Sequence, residues 1–152
     1  MKILAATDGS RPAESAVRFA AWLASAFPGG KLEVVLVGDV GTELVGQGGG
    51  AARVRLVMEE EYRRWARRAL EHAARQALRQ GVAARCRYVE ASLAPIARVI
   101  SRAADQLRAD LIVVGSAGRG AVGRAFFGSV ARRLLGLARR PVVVVPAAVT
   151  AR

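Results

Sequence analysis

A regular alternation of short apolar runs with amphipathic helical stretches, sustained from one end to the other, constrains this chain more than any other feature. Residues 2–7 form an apolar run read as a first strand, and Asp8-Gly9-Ser10 breaks it. Residues 11–26 then carry Ala13, Ala16, Val17, Ala20, Ala24 and, just beyond, Phe27 at helical spacing. Pro12 suits the first turn, where a missing N–H does no harm, and Pro28-Gly29-Gly30 stops the helix. Residues 32–37 read as a second strand, and residues 41–52, with Gly48-Gly49-Gly50, as a flexible glycine-rich loop. A long helix is expected over 54–80. Val54, Met58, Tyr62, Trp65, Ala69, Ala73 and Ala77 trace one face, and Glu59/Arg63, Glu60/Arg64 and Glu71/Arg75 lie four apart on solvated sides.

Residues 82–90 read as a third strand, polar enough to sit near an edge. Pro95 opens a helix with Ile96, Val99, Ile100, Ala103 and Leu107 on one side. Residues 110–115 form the clearest buried strand. A short helix over 129–138 uses Val130, Ala131, Leu134 and Leu135, residues 141–145 are a fifth strand, and 147–152 a tail. Five strands separated by helices predict an α/β fold: one domain over 1–146, with a five-stranded parallel sheet and helices on both faces. In such sheets ligands bind beyond the carboxyl ends of the strands, where the winding reverses.

Composition narrows the chemistry. Of 152 residues, 53% are hydrophobic and 24% charged, a globular balance. No apolar run approaches the ~20 residues of a membrane helix, and residues 1–8 lack the apolar core of a secretory leader, so a cytoplasmic protein is expected. Cys86 is the sole cysteine, which excludes an intrachain disulfide and a thiolate zinc cluster. His72 is the sole histidine and falls mid-helix, so no Ser-His-Asp device, catalytic residue or metal site is assigned. The formal charge of +12, carried by arginine except at Lys2 and Lys31, attracts anions without choosing among them.

Two strand ends stand out: Asp8-Gly9-Ser10 after the first, and the stretch from Gly115 to Ser129 after the fourth. Glycine permits positive φ and close approach of a ligand to the main chain. Exposed amides there, with the N-terminus of the next helix, make an anion site, to which Ser129 adds a hydroxyl. Gly118-x-Gly120-x-x-Gly123 matches the dinucleotide fingerprint in letter only, because no acidic residue follows Asp110 to hold a ribose. Gly118-x4-Gly123-Arg124-Ala125 fails as a P-loop, with Arg and Ala where Lys and Ser/Thr are needed. Arg119 and Arg124 lie inside the loop, where they either contact phosphate or are simply solvated. Asp8 alone reads equally as a turn or capping residue.

The spacing Gly-x2-Gly-x9-Gly-Ser is met in full by Gly115, Gly118, Gly128 and Ser129. It resembles the nucleotide-binding motif of the universal stress protein family, as the flanking strands and the opening Ile-Leu-Ala-Ala-Thr-Asp resemble that family's. The resemblance implies an adenine nucleotide alpha hydrolase-like, Rossmann-like fold with strand order 3-2-1-4-5, and an ATP-, ADP- or AMP-binding regulatory protein of the stress response, with Mg²⁺ accompanying the nucleotide. It implies that Asp8 accepts hydrogen bonds from the ribose, with Ala6 and Thr7 on the same wall. Gly115, Gly118, Gly128, Ser129 and Val130 would surround the phosphates, joined by Arg119, and Val37, Gly38 and Asp39 would meet the adenine through their backbone. Gly38-Asp39 departs from the His-Val pair common in the family at that strand end. The resemblance further implies a homodimer through the edge strand from Pro141 to Val145. A weak ATP hydrolase and a basic nucleic-acid-associated protein are the alternatives; no specific nucleic acid or membrane is expected as a partner.

Overall fold

The computed structural model describes residues 1–38, 49–91, 94–118 and 127–147, without the side chains of 49–56. The chain runs β1 (Lys2–Ala6), α1 (Arg11–Ser25), β2 (Lys31–Gly38), α2 (Gly49–Arg79), β3 (Arg85–Glu90), α3 (Ile96–Leu107), β4 (Leu111–Gly115), α4 (Ser129–Leu137) and β5 (Val142–Val145). The strands form one sheet in the order β3-β2-β1-β4-β5, every neighbouring pair parallel. The order implied by the family resemblance therefore holds, and β3 and β5 are its edges.

The middle of the sheet is buried on both sides, which is why β1, β2 and β4 are continuous apolar runs rather than alternating ones. Ile3, Leu4, Ala5, Val34, Val35, Leu36, Ile112 and Val113 are completely inaccessible. Their side chains divide between two cores. Ile3, Ala5, Val34 and Val113 pack against α1 and α2. Leu4, Val35, Ile112 and Val114 pack against α3 and α4. Alanine dominates the buried faces of the helices, as at Ala16, Ala20 and Ala24 of α1, so the helices lie close to the sheet.

Local signals explain most element ends. Ser10 caps α1 by accepting the Ala13 N–H at 3.4 Å, and Pro12 sits in the first turn. Phe27 lies past the end of α1 and is 44% exposed rather than in its stripe. Gly81, at φ 77°, closes α2, and the Val82 N–H then donates to the Ala77 carbonyl at 3.2 Å. That turn drives Val82 into the core, and β3 starts only at Arg85 rather than at 82.

α2 starts at Gly49, so the sequence expectation of a loop through residue 52 is corrected over 49–52; the rest of that loop lies outside the described residues. At 31 residues and 1.5 Å per residue, α2 is about 46 Å long. The 8-residue β2 spans only about 26 Å. The helix therefore overhangs the sheet, and Val57 and Met58 are 57% and 60% exposed, although Met58 continues the apolar stripe. Packing begins at Tyr62 and Trp65, whose rings meet at 5.2 Å. Of the ion pairs read from sequence on this helix, Glu60–Arg64 is formed at 2.5 Å, on the exposed side.

α4 shows how sharply burial changes along one helix. Leu134 is fully buried while the adjacent Leu135 is 54% exposed, against the expectation that both serve the core. Replacing Leu134 by Ala is expected to cost about 2–5 kcal/mol. Leu135→Ala is expected to stay within roughly 0.5 kcal/mol. Urea unfolding of the two variants checks the assignment; equal losses would mean that the face of α4 is wrongly oriented.

Candidate functional site

The carboxyl ends of β1 and β4 are neighbours in the sheet, and the chain leaves them toward opposite faces. After β1, the Thr7 N–H donates to the Val35 carbonyl at 2.9 Å, which prolongs the sheet by one residue. The Thr7 hydroxyl accepts the Gly9 N–H at 3.1 Å, and Asp8 Oδ1 accepts the Ser10 N–H at 3.0 Å. Gly9 takes φ 72°, and a side chain there would also meet the indole of Trp65. Asp8 thus forms the turn that one reading of the sequence assigned to it. Its second carboxylate oxygen is nonetheless carried across to β4, where a β-carbon on Gly118 would lie 2.8 Å from Oδ2.

After β4, the glycines serve close approach rather than unusual backbone angles. Among the described residues, positive-φ glycines are Gly9, Gly29 and Gly81; Gly115, Gly118 and Gly128 are not among them. At Gly115 a β-carbon would come within 2.6 Å of the Pro12 carbonyl carbon and 2.7 Å of the Ala13 nitrogen, so the start of α1 seats directly on the end of β4. The far end of the glycine-rich segment returns to its beginning: the Gly128 N–H donates to the Ser116 carbonyl at 2.7 Å. Ser116 is itself fixed by its N–H to the Val145 carbonyl at 2.8 Å.

These approaches enclose a cavity of about 350 Å³. One wall is Ala6, Thr7 and Asp8; another is Gly115, Ala117 and Gly118; a third is Gly128 to Ala131 at the start of α4. Val37, Ile96, Ile100 and Val114 make an apolar end. Among the described residues, Asp8 is the one charged residue that lines it. The N-cap of α4 is Gly128, which offers no side-chain acceptor. The first intrahelical bond runs from the Arg132 N–H to the Gly128 carbonyl at 3.0 Å. The amides of Ser129, Val130 and Ala131 therefore find no acceptor among the described residues, and they add to the positive end of the helix dipole. The cavity combines an apolar pocket, a carboxylate and a triad of donors.

Of the residues singled out in sequence, Ala6, Thr7, Asp8, Val37, Gly115, Gly118, Gly128, Ser129 and Val130 all line this one cavity. Asp39 and Arg119 lie outside the described residues. Gly38 does not line it. Successive strand residues face opposite ways, and Gly38 faces α2, where a β-carbon would fall within 2.2 Å of the Tyr88 hydroxyl and 2.6 Å of the Tyr62 ring. Those two rings, 6.1 Å apart, occupy the space a side chain would need. Ile96, Ile100 and Ala13 were read as packing residues only; their sole signal was the apolar stripe, which a core face and a pocket wall share.

His72 lies away from the cavity, 3.1 Å from Gln76 and 3.5 Å from Glu14. Cys86 stands half-buried in β3, where burial, with a smaller contribution from Glu33, pushes the thiol up from its ordinary value and lowers its reactivity. No cluster of three or more His, Cys, Asp or Glu suited to a metal ion occurs among the described residues, and no helix among them is long and apolar enough to cross a membrane.

The Gly115 contact is made with backbone, which cannot swing aside. Gly115→Ala is expected to cost about 1–3 kcal/mol. Gly136→Ala, with nothing within 4 Å of the new methyl group, is expected to be neutral or stabilising by up to about 1 kcal/mol. Denaturant midpoints of the two variants test this; a tolerated Gly115→Ala would contradict the seating of α1 on β4.

Known proteins share this fold. The family model of the Universal stress protein family matches residues 1–146. A solved universal stress protein from Burkholderia pseudomallei is 33% identical, with 95% of each chain covered and a TM-score of 0.73. A universal stress protein from Archaeoglobus fulgidus, solved in complex with dAMP, is 26% identical, with 95% of this chain and 97% of that one covered and a TM-score of 0.63. A third, from Lactobacillus plantarum, is 20% identical with 95% and 97% covered and a TM-score of 0.79, a likeness of fold. No curated protein matches the chain. With the match running from the first strand through the last and a solved relative one-third identical over nearly its whole length, the chain belongs to the universal stress protein family.

Proposed function

We propose that this protein binds an adenine nucleotide in the cleft between the ends of β1 and β4 and acts as a nucleotide-dependent regulatory protein of the stress response. One observation carries the reading: the Asp8 carboxylate and the amides of Ser129 to Ala131, which find no acceptor among the described residues, line the same cavity. Asp8 accepts hydrogen bonds from the ribose, and the α4 amides donate to phosphate oxygens. Val37, Ile96 and Ile100 receive the base. The cavity, at about 350 Å³, falls within the roughly 300–1,000 Å³ of small-ligand sites. The 26% identical Archaeoglobus fulgidus relative in complex with dAMP supports the ligand class.

The residues fit a nucleotide better than a resident metal. Among the described residues Asp8 is the one carboxylate lining the cavity, so Mg²⁺ would arrive on the phosphates of ATP. With that carboxylate committed to the ribose, the described lining offers no further group to position an attacking water, and binding rather than rapid hydrolysis is the reading. β5 is an unpaired edge of four valines, and we propose that two copies pair there. The domain is proposed to span 1–146 and to act in the cytoplasm.

Calorimetric titration with ATP, ADP and AMP, together with identification of any nucleotide that heat releases from the purified protein, tests the ligand. A Gly118→Val, Gly128→Val double variant pushes the Asp8 carboxylate aside and crowds the return to α4. It is expected to lose affinity at least about 100-fold, or ~2.7 kcal/mol, with circular dichroism unchanged. Undiminished binding would refute the site. Light scattering at micromolar concentration is expected to give about twice the chain mass of 16.0 kDa; a monomer would refute pairing through β5.

A further inference from the structure

On the α1 and α2 side of the sheet lies a separate cavity, of about 200 Å³. Among the described residues it has only Thr7 in common with the cleft between β1 and β4. Ile3 and Ala5 point toward α1 and α2. The Thr7 N–H still pairs with β2, so the alternation continues and its side chain faces the same two helices. Thr7 is only 7% exposed. Its hydroxyl oxygen accepts the Gly9 N–H at 3.1 Å, and among the described residues nothing accepts the hydroxyl's own hydrogen. A buried O–H left without an acceptor bears the full cost of its desolvation, so this end of the cavity needs an acceptor inside it.

The other end is short of a donor. Glu14 of α1 lines it together with His72 and Gln76 of α2. His72 Nε2 lies 3.1 Å from Gln76 Nε2 and 3.5 Å from Glu14 Oε1. One ring nitrogen either accepts from the amide or donates to the carboxylate; it does not do both. While it accepts from Gln76, the Glu14 carboxylate has no donor among the described residues. Glu14 and His72 are 33% and 44% exposed, so this end opens to solvent. Between the two ends the wall is apolar, formed by Trp65, Ala69 and Ala73. A β-carbon on Gly9 would lie 3.6 Å from that of Ala69, which places Ala69 at the Thr7 end. His72 follows three residues later, about 4.5 Å along α2.

We infer that this cavity binds a small zwitterion of the α-amino acid type. The ligand's carboxylate accepts the Thr7 O–H, and Arg68 adds positive charge from the exposed rim. Its ammonium group donates to Glu14, and its side chain lies against Trp65, Ala69 and Ala73. The site is distinct from the nucleotide cleft, and the inference does not depend on what the cleft binds.

The test titrates the full-length, isotope-labelled protein with L-alanine, L-serine and L-valine at constant ionic strength. Propionate and ethylamine, each carrying half of the charge pattern, serve as comparisons. At least one amino acid is expected to saturate with a Kd of about 1 mM or tighter, shifting the Trp65 indole N–H and the amides of Gly9, Ala69 and His72. Each half-ligand should bind about tenfold more weakly or worse, and Glu14→Gln should weaken the amino acid about tenfold. Ala69→Leu fills the cavity and should abolish the response, with circular dichroism and the urea midpoint reporting that it folds. Should that variant fail to fold, Glu14→Gln decides. Propionate or ethylamine binding as tightly as the amino acids, or undiminished binding by Glu14→Gln or by folded Ala69→Leu, overturns the assignment. No saturation by any probe up to about 10 mM leaves the cavity to water and overturns it equally.

Discussion

Everything in this structure that bears on a ligand depends on how closely the end of β1 and the end of β4 approach. Parallel pairing brings Ala5 opposite Val113 and so delivers Asp8 and Gly118 to adjoining positions. The approach is tight enough that a single β-carbon at Gly118 would press on the carboxylate, and one at Gly115 would strike the first turn of α1. The glycines are spaced as they are because the protein's own backbone and a carboxylate occupy the space where side chains would be. Ser10, bonded to the Ala13 N–H at 3.4 Å and close to the Ala117 carbonyl at 3.5 Å, ties the same two strand ends together from the side of α1.

The second constraint is what the fold leaves unpaired. A helix start normally recruits a serine, threonine or aspartate to accept its first amides, at a gain of about 1 kcal/mol. α4 begins instead on Gly128, and α3 on Pro95, neither of which provides an acceptor. Both helix starts line cavities that share Ile96, Ser129 and Val130, and their first amides find no acceptor among the described residues. α1, whose first turn also touches the cavity through Ala13, does carry its capping serine.

The architecture was legible in the sequence because a doubly covered parallel sheet writes itself as unbroken apolar runs, and β1, β2 and β4 are such runs. The cleft was legible because its glycine spacing resembles that of a known family. What stayed hidden was three-dimensional adjacency. Ile96 and Ile100 line the cavity from the same stripe that packs the core. Gly38 was read as meeting the base through its backbone; that a side chain there would face Tyr62 and Tyr88 is a packing relation between three segments that no local pattern encodes. The start of α2 was missed because glycines at 49 and 50 are poor helix formers, and Leu135 because a short helix cannot show from its own letters which of two leucines meets the sheet.

The central claim is that the amides at the start of α4 and the carboxylate of Asp8 together form the ligand cleft. Amide chemical shifts recorded while ATP is titrated into the isotope-labelled protein test it most directly. The account predicts the largest changes at Ser129, Val130 and Ala131, with smaller ones at Asp8, Gly118 and Ile96. Changes spread over the exposed arginines of α2, with the start of α4 unmoved, would contradict it and reduce the interaction to the pull of a +12 surface on an anion.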